Sequence, residues 1–403
     1  MGLVEYYLIS VLFVSWLIAL IWSRLISPLF IFISVNNFSI ISLTVISESV
    51  VSEYLLMLIG VSYLFFALGV LLAELISNVN EKKLLRRSFF RAPEYFLEVT
   101  IFVSLCLLFF YLWKAYGFIG NDISPKSIYK LRLASIGGLY NELMISELFV
   151  ATQVFLVYYA LSGGKEHKKA IVILLLFSFA VAIIKVERIG IFQAAFFTFL
   201  ASYFMCFYNK GYRRNILSRK AILAMIGSVA LLFSFFIGFS VFRDNLPVSV
   251  ALTSLLNYWV GSYNALDVNL ANNLAYGDFR GVLGRLSSLP IIEKSFYEEI
   301  TYEPVGSHNT FTYLADIYKA GGVLFLMLGI FLLGVIYQLL YRQALGGNVY
   351  CATFYCFYSF ALFISFFDYM FFSTYWIYVF LAVAFLWVMP KRNIGWSNNA
   401  KIA

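Results

Sequence analysis

The sequence predicts an all-α polytopic membrane protein of about eleven transmembrane helices, with one large loop on its outer side. Three observations carry this expectation. Of 403 residues, 62% are hydrophobic and only 12% are charged. Soluble chains carry about 25% charged residues, so this one has too little charge to cover a water-facing surface. Mean hydropathy is +0.86. Aromatic residues make up 20% of the chain (43 Phe, 29 Tyr, 7 Trp), which suits helices that face lipid and anchor at its boundary. Residues 1–403 are expected to form a single transmembrane domain, with no room for a large soluble one.

A membrane helix needs roughly 20 mostly apolar residues. On that basis the expected spans are about 6–23, 26–45, 54–76, 95–113, 143–162, 170–184, 189–208, 221–241, 321–341, 349–367 and 373–389. The first has Glu5 and no basic flank, so it is expected to be a retained span and not a cleaved signal. The second carries Asn36 and Asn37 in mid-run, which suits hydrogen bonding between helices or a ligand contact. Cys106, Cys206, Cys351 and Cys356 all fall in apolar runs without metal-ligand spacing, so no disulfide frame is expected.

The linkers sort by charge. Arg24, the run 82–91, Lys165 to Lys169, the run 210–220, Arg342 and the C-terminal tail carry 18 of the 29 basic residues. They lie in alternate linkers, as eleven spans require. The positive-inside rule then places them in the cytoplasm, with the N-terminus outside. A net charge of +8 is explained by this orientation and is weak evidence for nucleic-acid binding, which is not expected.

Eleven basic residues remain on the outer side, where membrane insertion does not favour them. Lys185 and Arg188 sit in a tight turn between the sixth and seventh spans. Arg243 closes the eighth. Arg280 and Arg285 lie in the longest loop, 242–320, and Arg132 in the loop 114–142. Guanidinium groups match phosphate oxygens two at a time, so the set suits an anionic diphosphate. Salt bridging is the other reading, since Glu187 and Asp244 neighbour Arg188 and Arg243.

Within the large loop, Leu252, Leu255, Leu256, Trp259, Tyr263, Leu266, Leu270 and Leu274 recur at helical spacing. Asn257, Ser262, Asn264, Asp267, Asn272 and Asn273 fall opposite. This predicts an amphipathic helix that lies on the bilayer or re-enters the bundle. It serves either as a hydroxyl-binding wall or as a cover for helix ends. His308 precedes the ninth span in Gly306-Ser307-His308-Asn309-Thr310-Phe311-Thr312-Tyr313. It suits a general base, or a loop histidine bonded to a carbonyl. Glu147, near the outer end of the fifth span, is a costly carboxylate with either a ligand or an arginine as partner. Asp316 and Asp368 are further outer-rim carboxylates. No phosphate-binding loop, dinucleotide fingerprint, zinc-protease motif, paired-cysteine motif or Asp-x-Asp pair occurs, and no internal repeat is apparent.

In architecture the chain resembles the Wzy-type O-antigen (oligosaccharide repeat unit) polymerases and their relatives, the O-antigen ligases. Two stretches carry the resemblance. One is Lys185-Val186-Glu187-Arg188-Ile189-Gly190 leading into a Phe-rich span. The other is His308-Asn309-Thr310-Phe311-Thr312-Tyr313 with Gly321-Gly322 opening a Leu-rich helix. Some members carry Arg, ten variable residues and then Gly; here Phe199, Ser254 and Ile291 stand at the corresponding spacing.

The resemblance implies a GT-C-like membrane glycosyltransferase on the periplasmic face of the bacterial inner membrane. Its donor and acceptor would both be undecaprenyl-diphosphate-linked oligosaccharides, with no metal or other cofactor and with a chain-length regulator as protein partner. His308, Arg188 and Arg243 would be catalytic. Lys185, Arg280, Arg285, Arg132, Glu147, Tyr263, Asp267, Asn309 and Tyr313 would bind substrate.

Overall fold

The computed structural model describes residues 12–17, 26–46, 51–77, 93–122, 124–136, 139–140, 145–162, 166–210, 247–271, 300–302, 306–308, 312–366, 370–371 and 373–389, with isolated positions at 19, 234, 237–238 and 241. Eleven helices and one β-hairpin are named here among them. They are α1 (Pro28–Ile46), α2 (Glu53–Ile76), α3 (Glu94–Ile119), α4 (Pro125–Ile136), α5 (Ile145–Leu161), α6 (His167–Ile184) and α7 (Arg188–Lys210). Then follow α8 (Val248–Ala271), β1 (Ile300–Tyr302), β2 (Gly306–His308), α9 (Tyr313–Leu345), α10 (Val349–Phe363) and α11 (Thr374–Val388).

Helices dominate because long apolar runs in lipid must satisfy their backbone groups internally. Among the described residues, five helices are long and apolar enough to cross a membrane: Glu53–Ile76, Tyr95–Ile119, His167–Ile184, Ile189–Tyr208 and Tyr313–Leu345. Shorter apolar helices cover Pro28–Leu43, Ile145–Leu161, Val349–Phe363 and Tyr375–Val388. The chain is thus a membrane-embedded helical protein. Nine of the expected spans coincide with these helices. The other two, 6–23 and 221–241, fall largely outside the described residues.

Boundaries differ from expectation where a charge interrupts hydropathy without breaking the helix. The fourth span was expected to stop at residue 113, yet α3 continues to Ile119. Lys114 lies at the interruption, and its ammonium rests 5.8 Å from the Phe110 ring centre and 5.7 Å from that of Trp113. The ninth span is expected from 321, and α9 kinks there, at Gly321 and Gly322; a further helical stretch from Tyr313 precedes the kink. Asp316 and Lys319 lower the hydropathy of its first turns. Gly322, at φ 66°, breaks the helical path there, a conformation that glycine reaches without steric cost.

The described contacts gather into two compact units, each built from separated stretches. One comprises 1–78, 252–342 and 358–376; the other comprises 79–251, 343–357 and 377–403.

In the first unit, α2 and α9 cross at glycine. A Cβ on Gly69 would lie 2.2 Å from the Phe331 carbonyl oxygen, and one on Gly334 would lie 2.4 Å from that of Phe66. Small residues at such crossings let backbones approach closely in lipid. Beyond the crossing, Arg342 Nε lies 3.2 Å from Glu74 Oε2, and Gln338 Nε2 donates to Glu74 Oε1. The hairpin β1–β2 pairs Ile300 with His308 and Tyr302 with Gly306 in antiparallel register.

The second unit packs α6 against both α5 and α7, and α3 against α5 and α6. Gln153 Nε2 donates to Ser178 Oγ at 2.7 Å between α5 and α6. Tyr208 OH donates to the Ala344 carbonyl at 2.7 Å.

Candidate functional site

The second unit holds the turn that sequence reading singled out. Helix α6 ends at Ile184 and α7 starts at Arg188, with Lys185 as the C-cap of α6. Two backbone bonds close the end of α6: Val186 N–H donates to Ile183 C=O at 3.0 Å, and Glu187 N–H donates to Ala182 C=O at 2.9 Å. This is the Schellman pattern, which places Val186 at the position that normally takes glycine in the left-handed region. Val186 has φ 58°. For an L-residue that conformation costs about 1–2 kcal/mol.

Burial holds it. Val186 is 3% exposed, in a core with Leu107, Tyr111, Leu131, Tyr140, Ile145, Phe177 and Val181. Burying a valine side chain contributes about 1.5–3 kcal/mol, which offsets the strain. The isopropyl group therefore fixes the turn and with it the directions of α6 and α7. A Cβ on Gly190 would lie 2.9 Å from Ala182 Cβ, so α7 leaves the turn close against α6.

Charged and phenolic groups collect around this turn. Lys185 Nζ lies 2.9 Å from Glu187 Oε1, with both side chains partly exposed. Tyr140 is 1% exposed, and its hydroxyl has no hydrogen-bond partner among the described residues. Burial, and then the nearby Glu187 carboxylate, hold its phenol well above the ordinary range, so it stays a neutral O–H donor. The Tyr111 ring lies tilted against that of Tyr140, with centres 5.0 Å apart, and both Glu187 and Glu147 act electrostatically on it. Glu147 is in the first turn of α5, where a carboxylate suits the helix dipole. Arg132 lies half-buried on α4, next to Leu131 of the same core.

The fold thus brings together Lys185, Glu147 and the start of α7 at Arg188, on one core with Glu187, Tyr111 and Tyr140. A helix N-terminus favours an anion through its free N–H groups and its dipole. The strained turn therefore presents a cationic side chain beside an anion-favouring helix end, with two phenols and two carboxylates near it.

The other expected residues fall elsewhere. Arg243, Arg280, Arg285 and Asn309 lie outside the described residues. His308 ends β2 in the first unit.

In that unit, Tyr263, Asp267 and Tyr313 are built into packing. Tyr263 is fully buried, and its hydroxyl donates to Asn36 Oδ1 at 2.5 Å. Asn36 Nδ2 in turn donates to the Phe32 carbonyl at 2.7 Å and to Ser365 Oγ at 3.0 Å. Asn37 Nδ2 donates to the Leu12 carbonyl at 2.9 Å and its Oδ1 accepts from Tyr63 OH at 2.7 Å. Both asparagines therefore take the interhelical role. Asp267 accepts from Ser52 N–H at 2.9 Å and from the Ser52 hydroxyl, and Ser52 caps α2 by accepting from Leu55 N–H. Tyr313 is buried against Phe32, ring centres 5.1 Å apart, and its N–H donates to the Ser365 carbonyl at 3.0 Å.

Helix α8 is likewise more enclosed than one amphipathic stripe requires. Gly261, Ser262, Tyr263, Ala265 and Leu266 are all buried, while Val248, Val250 and Leu252 at its start are exposed. The stretch 261–266 of this helix is thus packed within protein. Ser262 sits inside because polar groups on a buried helix can be satisfied by neighbours.

Sequence reasoning passed over Tyr111, Tyr140 and the strain at Val186. The tyrosines sit among many aromatics with no distinguishing spacing. A valine gives no sequence sign of a left-handed turn, whereas a glycine would have.

Fold and site together define a polytopic helical membrane protein with a strained, charged turn at one end of a helix bundle. The chain matches no protein-family profile, no curated protein and no solved structure.

Proposed function

We propose that this protein is a membrane glycosyltransferase that polymerises undecaprenyl-diphosphate-linked O-antigen repeat units. In this reading the chain spans the bacterial inner membrane eleven times in a GT-C-like arrangement, with its active site on the periplasmic face. The observation that carries it is the turn Lys185-Val186-Glu187-Arg188, held in a left-handed conformation by a buried valine and opening directly into α7. Strained backbone positions cluster at functional sites, and this is what supports the reading.

In the reaction, an acceptor hydroxyl oxygen attacks the anomeric carbon of the donor glycan. The bond from that carbon to the diphosphate oxygen breaks, and undecaprenyl diphosphate leaves with the electron pair. His308 takes the hydroxyl proton. Arg188 and Arg243 have the role of binding the leaving diphosphate, whose negative charge grows as the bond breaks, so they stabilise the transition state more than the ground state. Lys185, Arg132, Arg280 and Arg285 hold the same anion. A separate chain-length regulator is the expected protein partner.

Gene deletion followed by lipopolysaccharide electrophoresis tests the reading. Loss of a polymerase leaves core capped with a single repeat. Uncapped core instead indicates a ligase or a flippase of the lipid-linked glycan, and a surviving full ladder overturns the proposal. Complementation with Arg188→Ala, Arg243→Ala or His308→Ala should fail while the protein still reaches the membrane. Normal ladders from these variants would remove the residues from the mechanism.

A further inference from the structure

Helix α4 has a face that the proposed reaction does not use. Lys126, Tyr129, Lys130 and Leu133 follow i, i+3, i+4, i+7 spacing and so share one side of the helix. All four are exposed, Tyr129 by 48% and Leu133 by 51%. The opposite side packs inward through Leu131, 4% exposed, and Ile128, both against the core around Tyr111 and Tyr140. The helix is therefore apolar towards the protein and mixed apolar and basic on the outside.

Its position is fixed at the start. Ser124 N–H donates to Asp122 Oδ1 at 3.0 Å, the Ser127 hydroxyl donates to Asp122 Oδ2, and Ile128 N–H donates to the Ser124 carbonyl at 3.0 Å. Asp122, which also attracts Lys130, is held in its charged form by the Ser127 and Ser124 bonds. That turn joins α4 to the end of α3, a membrane-spanning helix whose last turns expose Trp113 by 59%, Tyr116 by 60% and Phe118 by 46%. Aromatic rings of this kind gather where a span leaves the hydrocarbon. Helix α4 begins at Pro125, six residues after that aromatic segment of α3 ends at Ile119.

An exposed tyrosine and leucine beside two lysines are poorly placed in water. At a membrane surface the same four side chains are satisfied together. The ring and the leucine enter the acyl boundary, and the lysine stems follow them while the ammonium groups reach phosphate. We infer that α4 lies in the membrane interface and binds the phosphates of anionic phospholipids through Lys126 and Lys130, with Tyr129 and Leu133 seated in the acyl boundary. This holds whatever reaction the protein performs, because it rests on α3 and α4 alone.

The test uses the purified, delipidated full-length chain in neutral detergent. Binding of phosphatidylglycerol and of phosphatidylcholine is measured by native mass spectrometry at low and at high salt. Wild type should prefer phosphatidylglycerol, and the preference should shrink as salt rises. In Lys126→Gln/Lys130→Gln, affinity for phosphatidylglycerol should fall on the order of tenfold while that for phosphatidylcholine stays unchanged. Lys126→Arg/Lys130→Arg should keep the wild-type preference. Hydrogen exchange supplies a second measurement, with α4 amides slower in phosphatidylglycerol nanodiscs than in detergent. Equal binding of the two lipids by wild type would overturn the inference. So would a glutamine double variant that binds phosphatidylglycerol as wild type does.

Discussion

Replacing Gly69 by alanine gives a direct measure of how closely α2 and α9 approach. The added Cβ would lie 2.2 Å from the Phe331 carbonyl oxygen and 3.0 Å from the Val335 nitrogen, where ordinary contact begins at 3.4 Å. Both obstructing atoms are backbone, so no side chain can swing away. The helices must part by about 1 Å, and overpacking of this kind costs about 1–3 kcal/mol. The separation also pulls on the layer beyond the crossing, where Glu74 holds Gln338 and Arg342.

Helix propensity works the other way, since alanine is favoured over glycine by about 1 kcal/mol in a helix interior. Gly60, on the same helix, has nothing within 4 Å of its would-be Cβ and isolates that term. Unfolding of the purified protein in mild detergent, followed by graded addition of a denaturing detergent, reads the difference. Gly60→Ala should match wild type or exceed it by up to about 1 kcal/mol. Gly69→Ala should unfold earlier than Gly60→Ala by about 2 kcal/mol. Equal stability of the two variants would show that the helices are not in contact at Gly69 and would refute the reasoning.

Two further outcomes follow from packing. At position 186, alanine keeps the left-handed strain and loses buried methyls, whereas glycine loses the same methyls and removes the strain, worth about 1–2 kcal/mol. Val186→Gly should therefore be at least as stable as Val186→Ala by the same denaturation assay, the reverse of ordinary helix preference; a clearly less stable glycine variant would mean that the turn is unstrained. In the first unit, a double-mutant cycle on Asn36→Ala and Tyr263→Phe should return a coupling of about 0.6–1.7 kcal/mol, the range for hydrogen bonds inside membranes. Additive losses would show that the Tyr263 hydroxyl does not depend on Asn36.

Much of the architecture was legible because hydropathy and helix length are local properties. The spans at 54–76, 170–184 and 189–208 coincide with α2, α6 and α7 to within a few residues. The same local rule set the ninth span to start at 321, which is where α9 kinks at Gly321 and Gly322; it did not see the helical stretch before the kink, where Asp316, 3% exposed, is buried by tertiary contacts. The site was partly legible. Lys185, Glu147 and Arg188 stand out because charge is rare at the end of a span; Lys185 and Arg188 flank one turn, and Glu147 starts α5, where it acts on the same Tyr111 as Glu187. Tyr263 and Asp267 stood out on the amphipathic pattern of the large loop and proved to be bonded to Asn36 and Ser52.

The sequence by itself determined that the chain lives in a membrane, where its helices run, and which few charged residues are available for chemistry. Those follow from the free energy of placing each side chain in lipid, a sum over neighbours in the chain. The tertiary structure decided which polar groups are spent on packing and which are left at a turn, and that a buried valine holds the turn in a left-handed form. These depend on contacts between residues far apart in sequence, and only a folded core can hold a β-branched residue in a conformation that it avoids alone.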